Sequence, residues 1–220
     1  GFSNLWSRTP ASTETVYLIG STFKAQSTLA LLQLMEAGVF QLDDPVNPYL
    51  TEFQIRGETP GSPVTFRHLL THTSGLPTDY GGHDVWGETV PPPLAEYLNG
   101  ALVVERPPLE RIVYSNLAYA LVGYLVEQFS GIPYREYIRD RIWRPLGMES
   151  TAFRPTPEME ERLSIPYRLG PRTGELEPTR RTKADVWPAG IVYGTIHDQA
   201  AWVRFNLGEG SVAGVRVLEP

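Results

Sequence analysis

Apolar residues recur at helical spacing in two long stretches of the chain. The first stretch covers residues 21 to 37 and follows a β-rich run at residues 15 to 19 that Gly20 ends. The second covers residues 117 to 130 and ends at Gly131. Because residues three and four apart lie on one face of an α-helix, both stretches predict helices with an apolar face. The run before the first helix predicts a short strand.

Shorter elements are predicted from the residues that begin and end them. Thr65 and Thr195 are candidate N-caps, and Thr195 opens a capping box in which Asp198 replaces the usual Glu. Pro133 suits the first turn of a further helix. These signals predict a short helix after residue 65 and helices over about residues 133–143 and 196–207. Residues 77 to 108 are predicted as loop, and residues 155 to 183 as turns and short extended pieces.

Composition narrows the possible functions. The net charge is −6 and no run of Lys and Arg is present, so nucleic acid is not an expected partner. The absence of cysteine excludes disulfides, thiolate metal sites and a cysteine nucleophile. No apolar run approaches the roughly 20 residues that span a bilayer, so no membrane segment is predicted in this chain. The sequence is compatible with a cytoplasmic or a periplasmic location, and it predicts no oligomeric state.

Ser21 and Lys24 are the first candidates for chemistry. They stand three residues apart where the strand-like run meets the first helix, so that the hydroxyl and the amine share one face. A serine hydroxyl becomes a useful nucleophile when a neighbouring base takes its proton. Burial and the positive potential of a helix N-terminus lower the pKa of a lysine, which suits Lys24 to that partnership.

Tyr114 and Asn116 form the second candidate pair, immediately ahead of the strongest helix. A tyrosine beside a cation can carry a proton between nucleophile and leaving group, and an asparagine amide can orient both a lysine and a substrate. Taken singly, each pair has a structural alternative: a capping serine with a solvated lysine, and a buried tyrosine with a capping asparagine.

Together, and in this order, the two pairs resemble the β-lactamase-like serine hydrolases, which comprise class C β-lactamases, penicillin-binding proteins, D-amino-acid peptidases and related esterases. The likeness extends from about residue 15 to about residue 207. It is carried by Leu69-Leu70-Thr71-His72-Thr73-Ser74-Gly75-Leu76-Pro77, by Tyr114-Ser115-Asn116-Leu117-Ala118-Tyr119, by Pro145-Leu146-Gly147-Met148, and by the turn at Pro188-Ala189-Gly190.

The resemblance implies a role for each candidate residue. Ser21 is expected to be the nucleophile, with its backbone N–H as half of the oxyanion hole, and Lys24 its activating partner. Tyr114 is expected to be the general base and later the acid, and Asn116 a contact for substrate and lysine.

Three departures from the family pattern accompany the resemblance. The third motif of the family, Lys or His followed by Thr or Ser and then Gly, is not found after the turn at residues 188–190, and the early strands before Ser21 are missing. Residues 107–111 also lack the glycine that the family often has before its tyrosine. We therefore expect both termini to be truncated, and the chain alone to be inactive and to expose sheet edges.

The expected fold class is α+β, with a helical subdomain packed on an antiparallel sheet whose N- and C-terminal strands are largely missing from this chain. Residues 1–220 are interpreted as one incomplete catalytic domain, in which about residues 60–180 form a subdomain of helices and loops.

The expected activity is hydrolysis through a covalent acyl-enzyme of ester, β-lactam or amide carbonyls in a small-molecule or peptide substrate, without metal or cofactor. Esters rank first because the family's esterases are diverse. The alternatives are a class C-type β-lactamase, a D-amino-acid peptidase, and, from another class, a non-catalytic peptide- or partner-binding protein.

Two further groups of residues are candidates for a metal site and for a substrate pocket. His68 and His72 have the spacing of zinc ligands, but Leu69 stands where a metalloprotease has its Glu, so His72 is interpreted as structural, hydrogen-bonding a turn. Four aromatic residues are candidates for an acyl or aryl pocket, with packing as the alternative: Tyr80, Trp86, Trp187 and Tyr193.

Overall fold

The architecture comes from a computed structural model that describes residues 1–79, 92–179, 187–212 and 214–218. Its α-helices are α1 (Lys24–Glu36), α2 (Phe66–Leu70), α3 (Leu94–Leu98), α4 (Asn116–Ser130), α5 (Tyr134–Ile138), α6 (Arg144–Leu146), α7 (Pro157–Glu160) and α8 (Ile196–Leu207). Short 3₁₀ turns lie at Gly20–Phe23, Asn47–Tyr49 and Trp187–Ala189, and a π-helical turn at Arg139–Trp143 joins α5 to α6.

The strands within the described ranges pair two by two, always antiparallel. They are β1 (Phe2–Asn4) with β2 (Thr9–Pro10), β3 (Val16–Leu18) with β6 (Tyr193–Thr195), β4 (Tyr167–Leu169) with β5 (Leu176–Pro178), and β7 (Ser211–Val212) with β8 (Val215–Arg216). The pair of β3 and β6 brings two turns together, because β3 leads into the turn that holds Ser21 and β6 follows the turn at residues 187–190.

Helix α4 forms the centre of the fold. Its residues 117–126 are all buried, and it packs against α1, α2, α3 and α5. Ser115 caps its N-terminus, and Gly131 ends it with φ of +67°, a conformation that glycine adopts without steric cost. The predicted bounds are right to within a residue. The apolar face predicted for this helix is part of a surface that is buried nearly all round.

Two groups of aromatic rings tie the helices together. Phe40 stacks on Phe66 with ring centroids 3.9 Å apart, and Phe129 of α4 stacks on Phe40 at 5.6 Å. Immediately before α1, Phe23 packs edge-on against Phe153 at 5.5 Å. Offset and edge-to-face pairs of this kind add stabilisation beyond the apolar area that they bury.

Several elements differ from the sequence expectations. The stretch predicted as loop contains α3, whose Leu94, Tyr97 and Leu98 are buried at helical spacing. Pro133 is the N-cap of α5 and not its first-turn residue. Residues 155–183 hold the expected extended pieces as the β4–β5 hairpin, and also the short helix α7, which was not predicted.

The capping box predicted before α8 forms only in part. The Thr195 hydroxyl accepts from the Asp198 N–H, as expected of an N-cap. The Asp198 carboxylate, however, accepts from the Ser150 N–H at 2.8 Å and from the Thr151 hydroxyl at 2.7 Å. It therefore ties α8 to the segment after α6. Among the described residues, no helix has the length and apolar character needed to cross a bilayer.

Candidate active site

A 3₁₀ turn brings Ser21 and Lys24 together. The predicted helix begins as the 3₁₀ segment Gly20–Phe23, and its α-helical part starts only at Lys24. In a 3₁₀ helix the side chains of residues three apart lie directly over one another. As a result, the Lys24 Nζ atom donates to the Ser21 Oγ atom at 3.2 Å, and Ser21 itself faces solvent.

Lys24 is buried, with 5% of its surface exposed, and has three hydrogen-bond acceptors. Besides Ser21, its Nζ atom donates to the Asn116 Oδ1 atom and to the Ala189 carbonyl, both at 2.6 Å. Three acceptors match the three N–H bonds of an ammonium group. Burial lowers the pKa of Lys24 below its ordinary value, and interactions with Tyr114 and Asp79 oppose that shift in part.

Tyr114 lies over the lysine, at the end of the loop that leads into α4. Its ring centroid is 4.7 Å from the Lys24 Nζ atom, and 44% of the residue is exposed. Burial by itself raises the pKa of Tyr114, but the interactions with Lys24 and Ser21 outweigh it, so that the pKa lies below its ordinary value. A nearby cation favours the phenolate, because opposite charges stabilise the charged form.

The next residue, Ser115, holds this loop against the segment that follows α2. Its hydroxyl accepts from the Ala118 N–H as the N-cap of α4 and donates to the Pro77 carbonyl at 2.6 Å. The capping function that the structural alternative gave to asparagine therefore belongs to Ser115. Asn116 is left with its side chain directed at the lysine.

The orientation of the Asn116 amide follows from the charges at its two ends. Its oxygen accepts from the Lys24 ammonium, and its Nδ2 donates to the Asp79 Oδ1 atom at 2.8 Å. Only this orientation places an acceptor toward the cation and a donor toward the carboxylate. Asp79 is exposed and had not been singled out from the sequence.

The turn at residues 187–190 forms one wall of the site. Gly190 has φ of +149°, and a Cβ atom there would lie 2.7 Å from the Gly20 carbonyl carbon and 3.0 Å from the Ser21 nitrogen. A side chain at this position would therefore push the turn away from Ser21. The same turn supplies the Ala189 carbonyl to Lys24.

A buried hydrogen-bond network fixes the turn to the helices. The Ser27 hydroxyl donates to the Pro188 carbonyl at 2.6 Å and shares a 2.6 Å hydrogen bond with the hydroxyl of the fully buried Tyr134. The ring of Pro188 also lies against Gly123 of α4, so closely that a Cβ atom at Gly123 would be 2.3 Å from the Pro188 Cγ atom.

Known proteins are similar to this chain in sequence and in fold. The sequence model of the family described as Beta-lactamase matches residues 1–219. The chain belongs to the β-lactamase family.

Its relatives include a putative penicillin-binding protein and a carboxypeptidase/endopeptidase. The chain is 32% identical over 180 residues to the putative penicillin-binding protein PbpX of Bacillus subtilis, covering 81% of this chain and 43% of that protein. It is 30% identical over 195 residues to the D-alanyl-D-alanine-carboxypeptidase/endopeptidase AmpH of Escherichia coli, covering 87% of this chain and 49% of AmpH. The chain thus spans less than half the length of these relatives.

A solved structure of the same family confirms the fold class. The octameric penicillin-binding protein homologue from Pyrococcus abyssi superposes with a TM-score of 0.75 at 29% identity, over 100% of this chain and 50% of that one. The α+β, β-lactamase/transpeptidase-like fold expected from the sequence is therefore confirmed. The division into one domain with a helical subdomain stays a prediction.

The structure brings all four sequence-predicted site residues together: Ser21, Lys24, Tyr114 and Asn116. Their roles stay predictions. Two partners of this cluster were missed by sequence reasoning, the Ala189 carbonyl and the Asp79 carboxylate. Every residue has a backbone carbonyl, so residue type could not indicate the one at Ala189. The family resemblance had nevertheless included the segment Pro188-Ala189-Gly190. Nothing in the sequence distinguished Asp79 from other exposed acidic residues.

Two of the remaining candidates have structural roles. The His68 Nδ1 atom accepts from the Thr65 N–H, so that its side chain caps α2. Tyr193 is buried and packs with Val16, Met159 and Leu163. Its side chain therefore contributes to packing, the alternative to a place in an acyl or aryl pocket. Tyr80, Trp86 and the side chain of Trp187 lie outside the described residues.

Proposed function

We propose that this chain supplies the acylation machinery of a serine hydrolase in which Ser21 forms a covalent acyl-enzyme. One observation carries the proposal: the buried Lys24 Nζ atom lies 3.2 Å from the Ser21 Oγ atom, with its other two N–H bonds directed at Asn116 and Ala189. A lysine fixed in this way holds a positive charge beside an exposed hydroxyl, where it stabilises the negative charge that develops as the hydroxyl attacks a carbonyl.

In the proposed reaction, the Ser21 Oγ atom bonds to the substrate carbonyl carbon while Tyr114, as phenolate, takes the hydroxyl proton. The tetrahedral intermediate expels its leaving group, which receives that proton from Tyr114. Water then attacks the acyl-enzyme by the reverse route and restores the serine. The lowered pKa of Tyr114 beside Lys24 supports its role as base, because more phenolate is present at a given pH. Asn116 would hold the lysine and contact the acyl group, and the Ser21 N–H would donate to the oxyanion.

The proposed substrate class is an ester, with peptides ending in D-alanine as the second candidate. The second candidate is favoured by the 30% identity to AmpH, a D-alanyl-D-alanine-carboxypeptidase/endopeptidase. β-Lactams are the third class that the same acylation step accommodates. No step of this mechanism calls for a metal or an organic cofactor.

The test compares the protein at its full natural length with its Ser21→Ala and Tyr114→Phe variants. A fluorophosphonate probe should label the parent, with the adduct located on Ser21 by mass spectrometry. Ser21→Ala should not be labelled, and Tyr114→Phe should be labelled about 10²–10⁴-fold more slowly, the usual contribution of a general base.

The same proteins are then assayed with p-nitrophenyl esters, a chromogenic cephalosporin and a D-alanyl-D-alanine peptide. The substrate with the highest kcat/KM identifies the class, and Ser21→Ala should turn over none of them. Equal labelling and turnover of parent and Ser21→Ala would refute the nucleophile assignment. Binding of a peptide without labelling or turnover would instead favour a non-catalytic binding protein.

A further inference from the structure

His72 brackets Tyr114 from both sides along the backbone. It follows α2 and holds φ of +59°, a left-handed conformation in which histidine is several-fold enriched among non-glycine residues. Its carbonyl accepts from the Val113 N–H at 2.8 Å. Its ring Nδ1 atom accepts from the Ser115 N–H at 3.2 Å. The two residues that flank Tyr114 are therefore both hydrogen-bonded to the same histidine.

The imidazole ring also supports the tyrosine ring directly. The His72 and Tyr114 ring centroids are 4.5 Å apart at an interplanar angle of 35°. Tyr119 packs on the histidine at 5.3 Å, and its hydroxyl is hydrogen-bonded to Thr28 of α1 and to the Leu70 carbonyl. Tyr119 is thus held by α1 and by the end of α2. Because His72 packs on both Tyr119 and Tyr114, it links the position of the Tyr114 ring to these helices.

Only the neutral form of His72 can accept the hydrogen bond from the Ser115 N–H. An Nδ1 atom that accepts from a backbone N–H carries no proton, so the ring proton lies on Nε2. Burial, and next the charge of Lys24, lower the pKa of His72. The groups that face the ring are the Lys24 ammonium and the phenols of Tyr114 and Tyr119. Protonation would turn the Nδ1 acceptor into a donor opposite the Ser115 N–H and add a positive charge near Lys24.

We propose that His72 is a positioning residue for Tyr114 and that its protonation disables the site by releasing the loop at residues 113–115. This inference rests on the proposed function, because it concerns the delivery of Tyr114 to Ser21. Displacing a catalytic group by about 1 Å costs up to about 10²-fold in rate. The loss should appear in acylation, since the backbone contacts of His72 do not reach the other site residues.

The test uses two variants with opposite properties. His72→Asn keeps an acceptor at the place of Nδ1, tolerates the positive φ, and does not titrate. His72→Phe keeps an aromatic ring but loses the acceptor. The measured quantity is the rate of labelling by a fluorophosphonate at several pH values, in full-length protein, with circular dichroism to confirm that each variant is folded at each pH.

At neutral pH, His72→Asn should label within a few-fold of the parent, and His72→Phe about 10- to 100-fold more slowly. As the pH falls below the ordinary histidine value of 6.5, the parent should lose rate relative to His72→Asn, by about tenfold per pH unit once its histidine is protonated.

The outcomes separate this inference from the proposed function. A ratio of parent to His72→Asn rates that stays constant at every acidic pH at which circular dichroism shows both proteins folded would overturn the role of His72 while leaving Ser21 as nucleophile. A labelling rate that is lost in His72→Phe and kept in His72→Asn supports positioning of Tyr114. A merely structural role of His72 would change the unfolding temperature and not the dependence of the labelling rate on pH. Labelling that persists in Ser21→Ala would refute the proposed function, whatever the histidine variants do.

Discussion

Leu109 holds a backbone conformation that favours glycine. Its φ is +67°, its N–H donates to the Thr73 carbonyl at 2.9 Å, and 68% of the residue is exposed. The left-handed conformation costs a residue with a Cβ atom roughly 1–2 kcal/mol. Residues 107–111 contain no glycine, yet the chain still makes a turn with positive φ there. The backbone of Leu109 is strained as a result.

Replacing Leu109 by Gly should stabilise the protein by about 0.5–1 kcal/mol, because relief of strain exceeds the extra chain entropy of glycine when unfolded. The free energy of unfolding is measured by denaturant titration. Leu109→Ala is the matched control, since it removes the same exposed side chain but keeps the strained Cβ atom, and it should leave stability nearly unchanged. A glycine variant no more stable than the alanine variant would show that Leu109 is not strained.

Single residues also show what the sequence can and cannot predict about the site. The spacing of Ser21 and Lys24 fixes their proximity in any helical turn, so this pair was accessible to prediction. Tyr114 and Asn116 were accessible because they stand just ahead of a strong helix. The meeting of the two pairs depends on the packing of α1 against α4, which only the family resemblance implied.

At the scale of elements, Gly123 sets the distance between α4 and the turn at residues 187–190. The absence of a Cβ atom lets Pro188 lie against the helix, while Ser27 holds the Pro188 carbonyl from the other side. The position of the Ala189 carbonyl on Lys24 thus depends on a helix–turn contact remote from the nucleophile.

Gly123→Ala should therefore destabilise the protein by about 1–3 kcal/mol, the usual cost of overpacking a core, and slow the labelling of Ser21. Pro188→Ala removes the Cγ atom that the new methyl group would meet at 2.3 Å. The double variant should recover part of both losses. Unfolding by denaturant and the rate of fluorophosphonate labelling report the two effects. A Gly123→Ala variant equal to the parent in both would mean that the contact has no influence on the turn.

The elements predicted well are those whose pattern is long. Helix α4 was placed correctly because Leu117, Leu121 and Leu125 recur at helical spacing and Gly131 ends the helix. Helix α3 was missed because it has five residues and follows a run of prolines, Pro91 to Pro93, that is typical of loops. The 3₁₀ turn before α1 was predicted as α-helix, because one turn is too short for residue spacing to separate a period of about 3.0 from one of about 3.6.

At the scale of the whole molecule, apolar side chains remain exposed along the strands nearest the N-terminus. Trp6 is 86% exposed, Phe2 52%, Leu18 39% and Tyr17 38%. Phe2 lies on β1, Trp6 in the turn between β1 and β2, and Tyr17 and Leu18 on β3. Two-stranded sheets are only marginally stable without a covering element. Clusters of exposed apolar side chains favour association.

Residues 1–220 produced by themselves should therefore self-associate. Light scattering at increasing protein concentration should show particles larger than a 24.6 kDa monomer. Leu18→Lys places a charge among these exposed apolar side chains and should reduce association without loss of helical circular dichroism. Val203→Lys, at a 53% exposed position of α8, serves as the control with the same charge. A monodisperse monomer at all concentrations would show that these strands need no cover.

The contacts of Lys24 also govern when the site can exist during folding. Its partner Asn116 is 92 residues away along the chain and Ala189 is 165 residues away, so neither contact can form before most of the polypeptide has collapsed. Contacts of such separation carry a large loop-closure entropy and form late in topologies rich in them. The helices can assemble early around α4, and Ser21 meets Lys24 within a single helical turn, but the lysine gains its other two acceptors only as the last long loops close. In nascent or partly folded chains the lysine should therefore lack the acceptors that hold it beside Ser21.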